Sequence, residues 1–320
     1  MKKRSILALS ILMGIFCTST LLFSPVNAED QENQPKPAVW LQVSPVSKRL
    51  YLTPGANYED SFQVENIGSE DFTFNVYASP YSVTGEDYEP EFIEETKYTQ
   101  IARWIKFEQS EFDLAVGETQ TVKYTVEVPE KDEVPDGGQY AVIFSESGGK
   151  KVEGEESSVG GIKTKSRIGL IVYASLGGET RESAELLEIS VPTILFSGNI
   201  TARSKIKNSG NTDFDVTYHF DITPIFSQEM VYQKDETHPI LPDTERRVEM
   251  LWDKTPLLGI YKANYSITAP GINENKSYLI LVVPLFVVII TLLLLTFLIV
   301  WIILTIKRRK ALRKRMNIPQ

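Results

Sequence analysis

The feature that most constrains this chain is an uncharged, mostly apolar run of 29 residues, 278–306, near its C-terminus. A helix needs about 20 apolar residues to cross a bilayer, so this run is long enough to span one. Seven cations and no acid follow within residues 307–320: Lys307, Arg308, Arg309, Lys310, Arg313, Lys314 and Arg315. Short flanks rich in Lys and Arg stay on the cytoplasmic side. We therefore predict a single-pass plasma-membrane protein with a transmembrane helix at 278–306, a cytoplasmic tail at 307–320 and an N-terminus outside.

The N-terminal residues 1–28 have the pattern of a cleavable secretory signal. A basic start, MKKR, precedes a mostly apolar stretch, and small residues stand before the expected cleavage after Ala28. An uncleaved anchor, which would leave both ends inside, is the alternative. The one cysteine, Cys17, lies in this signal, so the mature chain would have no disulfide. That pattern is common in proteins exported by Gram-positive bacteria. Residues 29–37 are polar and predict a flexible leader.

Charge is unevenly distributed along the chain. All 42 acidic residues lie between Glu29 and Glu274, and residues 29–277 hold 23 basic residues, so this segment has a net charge of −19. Nucleic acid is an unfavourable partner for such a surface, because each phosphate contact needs a cation. The charge suits a basic partner, a neutral glycan or simple solubility.

The segment between the signal and the apolar run predicts an all-β fold. Short runs rich in Val, Ile, Thr, Tyr and Phe alternate with turn signals, and no long helical period occurs. In SFQVEN at 61–66, the alternation places Phe62 and Val64 on one face. The segment is long enough for two domains. We predict two tandem immunoglobulin-like β-sandwiches, at 38–178 and 184–272, joined by a linker at 179–183, and expect each unit to fold alone.

A weak internal repeat supports two related units. VENIG at 64–68 precedes the alternating FTFNV, and IKNSG at 206–210 precedes FDV. Each block predicts a strand, a turn and a second strand, as in the first half of an immunoglobulin-like sandwich.

These features together resemble the WxL-interacting cell-surface proteins of Gram-positive bacteria over roughly residues 39–306. The matching motifs are VSP at 43–45, LTPG at 52–55, VGET at 116–119, GGQY at 137–140, NSGN at 208–211, LPDT at 241–244 and GIY at 259–261. Pilus chaperones and other immunoglobulin-like modules share many of them. The resemblance implies that the first domain binds peptidoglycan and the second a host ligand or a WxL-domain protein. The insert at 79–99 and the strand predicted at 103–105 depart from the family pattern, as in a distant branch.

The sequence offers little support for catalysis. His219 lies in a strand pattern and His238 precedes a proline, and neither belongs to a known catalytic motif. Asp132, Glu133 and Asp136 are hard oxygen ligands of the kind that bind calcium, so calcium binding stays open there, with a solvated turn favoured. We expect no enzyme, no catalytic or cofactor-binding residue and no metal site.

The best recognition candidate is the tyrosine-rich excursion at 77–98, YASPYSVTGEDYEPEFIEETKY. Loops of this length are often functional, and tyrosine suits protein and sugar surfaces. We predict Tyr81, Tyr88 and Tyr98 as partner-binding residues. The alternative is that they pack the loop onto its own sandwich.

The expected function is therefore binding. The chain would tether a wall polymer such as peptidoglycan, or a secreted surface protein, to the membrane. One alternative is a membrane-anchored assembly chaperone that pairs an exposed strand with a client. A second alternative is a cell-wall hydrolase.

Overall fold

The structure is all-β with one long apolar helix, which confirms the predicted fold class. This computed structural model describes residues 37–148, 165–196, 198–227, 229–254 and 258–316. Nineteen strands lie within them, together with two α-helices, α1 (Ile101–Trp104) and α2 (Leu285–Met316), and a 3-10 helix (Lys131–Glu133). The predicted signal at 1–28 and residues 29–36 of the leader lie outside the described residues.

The first sandwich contains two facing sheets. Its strands are β1 (Leu41–Ser44), β2 (Ser47–Leu52), β3 (Asn57–Asn66), β4 (Phe72–Pro80), β5 (Ser82–Thr84), β6 (Glu89–Glu91), β7 (Ile105–Phe107), β8 (Glu111–Leu114), β9 (Thr119–Glu127), β10 (Gly137–Gly148) and β11 (Arg167–Leu176). One sheet has the order β1-β3-β9-β7 and the other β2-β11-β10-β4-β8, while β5 and β6 form a separate hairpin. Alternating side chains such as Phe62, Val64 and Val122 fill the core between the sheets.

The second sandwich repeats this plan. Its strands are β12 (Ala184–Ser190), β13 (Ile194–Leu195), β14 (Ile200–Asn208), β15 (Phe214–Pro224), β16 (Tyr232–Ile240), β17 (Glu245–Trp252), β18 (Gly259–Ala269) and β19 (Ile272–Val282). The sheet orders are β12-β14-β17 and β13-β19-β18-β15-β16. In both sandwiches the first strand breaks near a proline and changes sheets. Its first part pairs antiparallel with one sheet, and its second part pairs parallel with the other.

The internal repeat is confirmed at the level of single atoms. Asn66 and Asn208 are both fully buried. The Asn66 amide donates to the carbonyls of Glu70 and Leu114, and its Oδ1 accepts from the amide of the residue two positions later. Asn208 does the same with Thr212, Ile240 and its own following turn. A side chain that replaces backbone partners in this way fixes the turn after the strand.

Two predicted boundaries are wrong. The sequence predicts a transmembrane helix from residue 278, but residues 278–282 form the end of β19, which pairs with β18 along its whole length. Ile280 and Val282 belong to the second core, so this sandwich continues ten residues past the predicted end at 272. Helix α2 begins only at Leu285, and its helical course continues through residues 307–316 of the basic tail.

The strand predicted at 103–105 is also partly wrong. Residues 101–104 form the one-turn helix α1, and only Ile105–Phe107 is a strand. Ile101 and Trp104 are three residues apart, so one helical turn places both on the same face. Both are buried against the first core.

Candidate functional site at the junction of the two sandwiches

The tyrosine-rich excursion is a hairpin rather than a loop. Strand β4 extends to Pro80, and β5 pairs antiparallel with β6. The connection between them contains two residues in the left-handed region, Gly85 with φ +67° and Tyr88 with φ +63°. A non-glycine residue with this φ is strained, so the surrounding contacts must hold Tyr88 in place.

Tyr88 makes those contacts with the second sandwich. Its hydroxyl oxygen accepts a 2.6 Å hydrogen bond from the Leu241 amide and lies 2.8 Å from Oγ1 of Thr244. The guanidinium of Arg246 lies 4.3 Å from the centre of the Tyr88 ring. Burial raises the pKa of Tyr88 to about 12, so the hydroxyl stays protonated at neutral pH. The hairpin tip is therefore bonded to the turn between β16 and β17.

Glu86 adds a second attachment at the hairpin tip. Its backbone carbonyl accepts a 2.8 Å hydrogen bond from the amide of Arg247, on the edge strand β17. Its carboxylate pairs with the guanidinium of Arg247 and with Nζ of Lys205 at 2.9 Å. The hairpin thus covers part of an edge whose backbone groups would otherwise face water.

Tyr98 contacts the same turn from the other end of the excursion. Its hydroxyl donates a 2.9 Å hydrogen bond to Oδ2 of Asp243, which also lies 3.3 Å from Nζ of Lys97. Asp243 has φ +60°, while Gly117, at the matching position of the first sandwich, has φ +76°. Each of these two residues donates its amide to the carbonyl of the buried asparagine of its own sandwich. The second sandwich therefore places a carboxylate where the first has a glycine, and that carboxylate binds the first sandwich.

Tyr81 packs onto its own sandwich, as the alternative interpretation predicted. It is 7% exposed, and its ring centre lies 6.2 Å from that of Phe92 and 6.3 Å from that of Tyr173. These rings cover the outer face of β10, which is buried on both faces. The structure thus places Tyr81, Tyr88 and Tyr98 along one excursion, with one on the first sandwich and two on the second. Their role in partner binding stays a prediction.

A separate polar network, which the sequence did not suggest, completes the junction. Asp213 accepts a 2.5 Å hydrogen bond from Arg49 and a 3.0 Å hydrogen bond from the hydroxyl of Tyr140. Burial raises the pKa of Tyr140 most, and the negative charge of Asp213 raises it further. Beside it, the Gly138 amide donates to the Asn211 carbonyl at 2.8 Å. The buried carboxylate of Asp213 thus accepts charge-assisted or buried hydrogen bonds from a partly exposed cation and a buried phenol, and these bonds stabilise the junction.

A cleft of about 320 Å³ opens beside these contacts. Both sandwiches line it, the first with Val83, Thr96 and Lys97 among others, and the second with Pro242 and Thr244. Its walls offer hydroxyls, one ammonium group, the carboxylates of Glu94 and Asp243, and apolar faces. Such a surface suits a small polar group or a peptide side chain.

Both histidines lie beside carboxylates. His219 lies 2.6 Å from Asp235 and 3.3 Å from Asp221, and His238 lies 2.8 Å from Glu236. Within the ranges that the structure describes, no cluster of His, Cys, Asp or Glu side chains is arranged to hold a metal ion. Asp132 and Glu133 lie in the 3-10 helix, and both are exposed.

The second sandwich has a long open strand edge. In the first sandwich, β2 covers the outer edge of β11 over six residues. In the second, β13 covers β19 only at Leu281 and Val282. Among the described strands, none pairs with the outer edge of β19 from Ile272 to Ile280. Unpaired backbone groups along such an edge can accept another strand.

Comparisons with known proteins give distant structural likenesses. No protein-family model matches this chain, and no curated protein matches it. A solved chain from the chaperone–tip adhesin complex of CFA/I fimbriae biogenesis is 14% identical, with 77% of this chain and 100% of that chain covered and a TM-score of 0.38. The E. coli chaperone DraB is 13% identical over 75% of this chain and 97% of its own, with a TM-score of 0.36. PapD-like domain 7 of human CEP192 is 16% identical over 48% and 96%, with a TM-score of 0.32.

These TM-scores are below 0.5, so the likenesses carry no inference about function. The resemblance to WxL-interacting proteins stays a prediction, since no family model matches.

Proposed function

We propose that this chain is a membrane-anchored, non-catalytic protein that binds a second surface protein by strand addition. One observation carries the proposal, namely the open edge of β19 from Ile272 to Ile280. Helix α2 supplies the anchor, because Leu285–Arg309 is a 25-residue helical stretch that is long and apolar enough to cross a membrane. An added strand obtains its affinity from main-chain hydrogen bonds.

The direction of the backbone amides supports this mode of binding. The Leu281 amide donates to the Thr193 carbonyl at 2.8 Å, on the side of β19 that faces β13. Amides alternate between the two sides of a strand, so those of Asn273, Asn275, Ser277 and Leu279 point to the same side as that of Leu281. Over that stretch β13 is absent from the edge. Four amide donors are therefore available to a partner strand.

The strand-addition mode fits an assembly chaperone that holds a client protein. A second candidate is a static tether for a wall polymer or a WxL-domain protein. One observation favours the tether, because each described core is closed by strands of this chain alone. A sandwich that is already complete has no need of a client strand to fill its core.

Paired variants at Asn275 test the mode of binding. Asn275 is exposed, and its side chain forms no hydrogen bond within the described residues. Asn275→Pro removes the outward amide from an edge position that tolerates proline, while Asn275→Ala keeps that amide. Both full-length variants, in detergent, would be cross-linked to proteins extracted from the surface of the source cells.

The proposal expects a protein partner that cross-links to residues 272–280 of Asn275→Ala and is lost with Asn275→Pro. A partner retained by both variants would place binding on another face and favour the tether. Thermal unfolding of both variants provides the control, since equal midpoints show that the proline leaves the fold intact.

A further inference from the structure

The end of the second sandwich next to α2 exposes large apolar side chains. Among the described residues of the loops and of β13, those more than half exposed are Ile194 at 54%, Phe196 at 54%, Phe226 at 85%, Met230 at 51% and Leu258 at 58%. An apolar cluster of this kind on a water-soluble domain marks a contact with another apolar phase. We call these five residues the apolar base.

The pairing register places the apolar base around the start of α2. Gly259, the first residue of β18, pairs with Val282, the last residue of β19. The Ile225 amide donates to the Ile260 carbonyl at 3.0 Å. The segment that leads to Phe226 therefore leaves β15 beside the first residues of β18. The loops that carry Phe226 and Leu258 therefore leave the sandwich at the end from which α2 emerges.

Backbone hydrogen bonds fix part of the apolar base to the helix itself. The Val283 amide donates to the Leu195 carbonyl at 2.9 Å, and the Leu285 amide donates to the Phe196 carbonyl at 3.0 Å. Only Val283 and Pro284 separate β19 from α2. Phe196 is thus bonded to the first residue of the helix, so its depth in a membrane follows that of Leu285.

We propose that the apolar base is seated in the interfacial layer of the leaflet in which α2 begins, in direct contact with lipid. This inference rests on the proposed membrane anchor. Lipid is the expected occupant, because Phe196 is hydrogen-bonded to Leu285, where the exposed apolar surface of α2 begins. Exposed charges on the same loops, Glu229, Asp253 and Lys254, would lie at the level of the headgroups. Seating this end of the sandwich would hold the open edge of β19 at a set height above the lipid.

Site-directed spin labelling of the full chain tests the seating. Single cysteines at Phe226, Ile93 and Leu294 would be placed in a Cys17→Ser background and labelled with a nitroxide. The protein would be reconstituted in phosphatidylcholine–phosphatidylglycerol vesicles. Ile93 is the matched control, because it is also apolar and is 86% exposed on the first sandwich. Leu294 lies within α2 and reports on the membrane span alone.

The inference expects the label at 226 to collide with oxygen in preference to a water-soluble nickel chelate, as the label at 294 does. The label at 93 should show the reverse preference. The inference is overturned if 226 behaves like 93 while 294 is shielded from nickel. Nickel access at 294 would instead contradict the membrane anchor itself. Spin–spin broadening at 226 that persists in detergent would assign the apolar base to a second copy, which also overturns the inference.

Discussion

At the scale of single residues, the junction depends on backbone positions that most side chains do not tolerate. Gly137 has φ +105°, and a Cβ added there would lie 2.1 Å from the carbonyl oxygen of Asn211. Gly117 has φ +76°, but an added Cβ would meet nothing within 4 Å. Backbone strain is therefore expected for a substitution at either glycine, whereas a steric clash between the sandwiches is expected only at Gly137.

Gly137→Ala should destabilise the protein by about 2 kcal/mol or more, because it combines strain with the clash. Gly117→Ala should cost only about 1 kcal/mol, from strain alone. Chemical denaturation of the two variants measures the difference. Hydrogen exchange at the Gly138 amide should accelerate only in the first variant. Equal losses of stability in the two variants would show that the junction accommodates the added methyl group at residue 137 without a cost in free energy.

His219 gives the second sandwich a dependence on pH. Its hydrogen bond to Asp235, on the neighbouring strand, raises the pKa of His219. A raised pKa in the folded state stabilises the protein fully below the unfolded value of about 6.5. That contribution is lost as the pH rises through the folded value. His219→Gln should therefore cost more stability at about pH 5.5 than at about pH 8.5. A cost that does not change with pH would contradict this assignment.

At the scale of elements, the hairpin of β5 and β6 connects the tyrosine-rich excursion to both sandwiches. Its tip is held by the Tyr88 hydroxyl and by the backbone carbonyl of Glu86, both bonded to the second sandwich. Its base covers the outer face of β10 through the cluster around Tyr81. The hairpin therefore joins the two sandwiches. We expect substitutions of the tyrosines to lower the stability of the protein before they weaken the binding of any partner.

Tyr88→Phe should cost about 1–3 kcal/mol, because the buried Leu241 amide loses its hydrogen-bond acceptor. Tyr51→Phe is the control, since Tyr51 is 80% exposed. Denaturation midpoints of both variants give the comparison. A Tyr88→Phe variant as stable as the control would mean that water replaces the hydroxyl at no cost.

The corrected extent of β19 changes what a stable fragment must contain. A fragment of residues 182–272 ends where β19 begins, so β18 loses its partner and the core loses Ile280 and Val282. We expect this fragment to remain unfolded, while residues 182–284 unfold cooperatively. Circular dichroism with thermal denaturation distinguishes the two. Cooperative unfolding of the shorter fragment would show that β19 is dispensable.

At the scale of the whole molecule, the chain consists of two sandwiches in contact followed by a helix after a two-residue connection. Helix α2 includes Lys307, Arg308 and Arg309, and its helical course extends past Lys310, Arg313, Lys314 and Arg315. The predicted orientation, with these cations inside, stays a prediction.

A membrane-impermeant maleimide tests this orientation in wall-stripped cells. Ile93→Cys should react in intact cells, because Ile93 is exposed on the first sandwich. Asn317→Cys should react only after permeabilisation, because the cations before it hold the tail in the cytoplasm. Labelling of residue 317 in intact cells would reverse the proposed topology.

Local patterns in the sequence were sufficient to predict the fold class, most strands and the turns at Asn66 and Asn208. Alternation and turn chemistry act over a few residues, so they can be read without a partner. The strands β16 and β19 were missed. β16 is a charged edge strand, YQKDETHPI, with little alternation, and β19 ends in LILV, which suits a strand and a helix equally.

Only the tertiary structure decided where the second sandwich ends, what the tyrosines contact and which strand is buried on both faces. Pairing with β18 makes residues 278–282 a strand, although their composition continues that of the helix. The segment predicted as a loop instead joins the two sandwiches, because Tyr88 and Tyr98 contact Leu241 and Asp243, more than 140 residues away in sequence. These outcomes depend on long-range pairing, whose free energy no local window of the sequence contains.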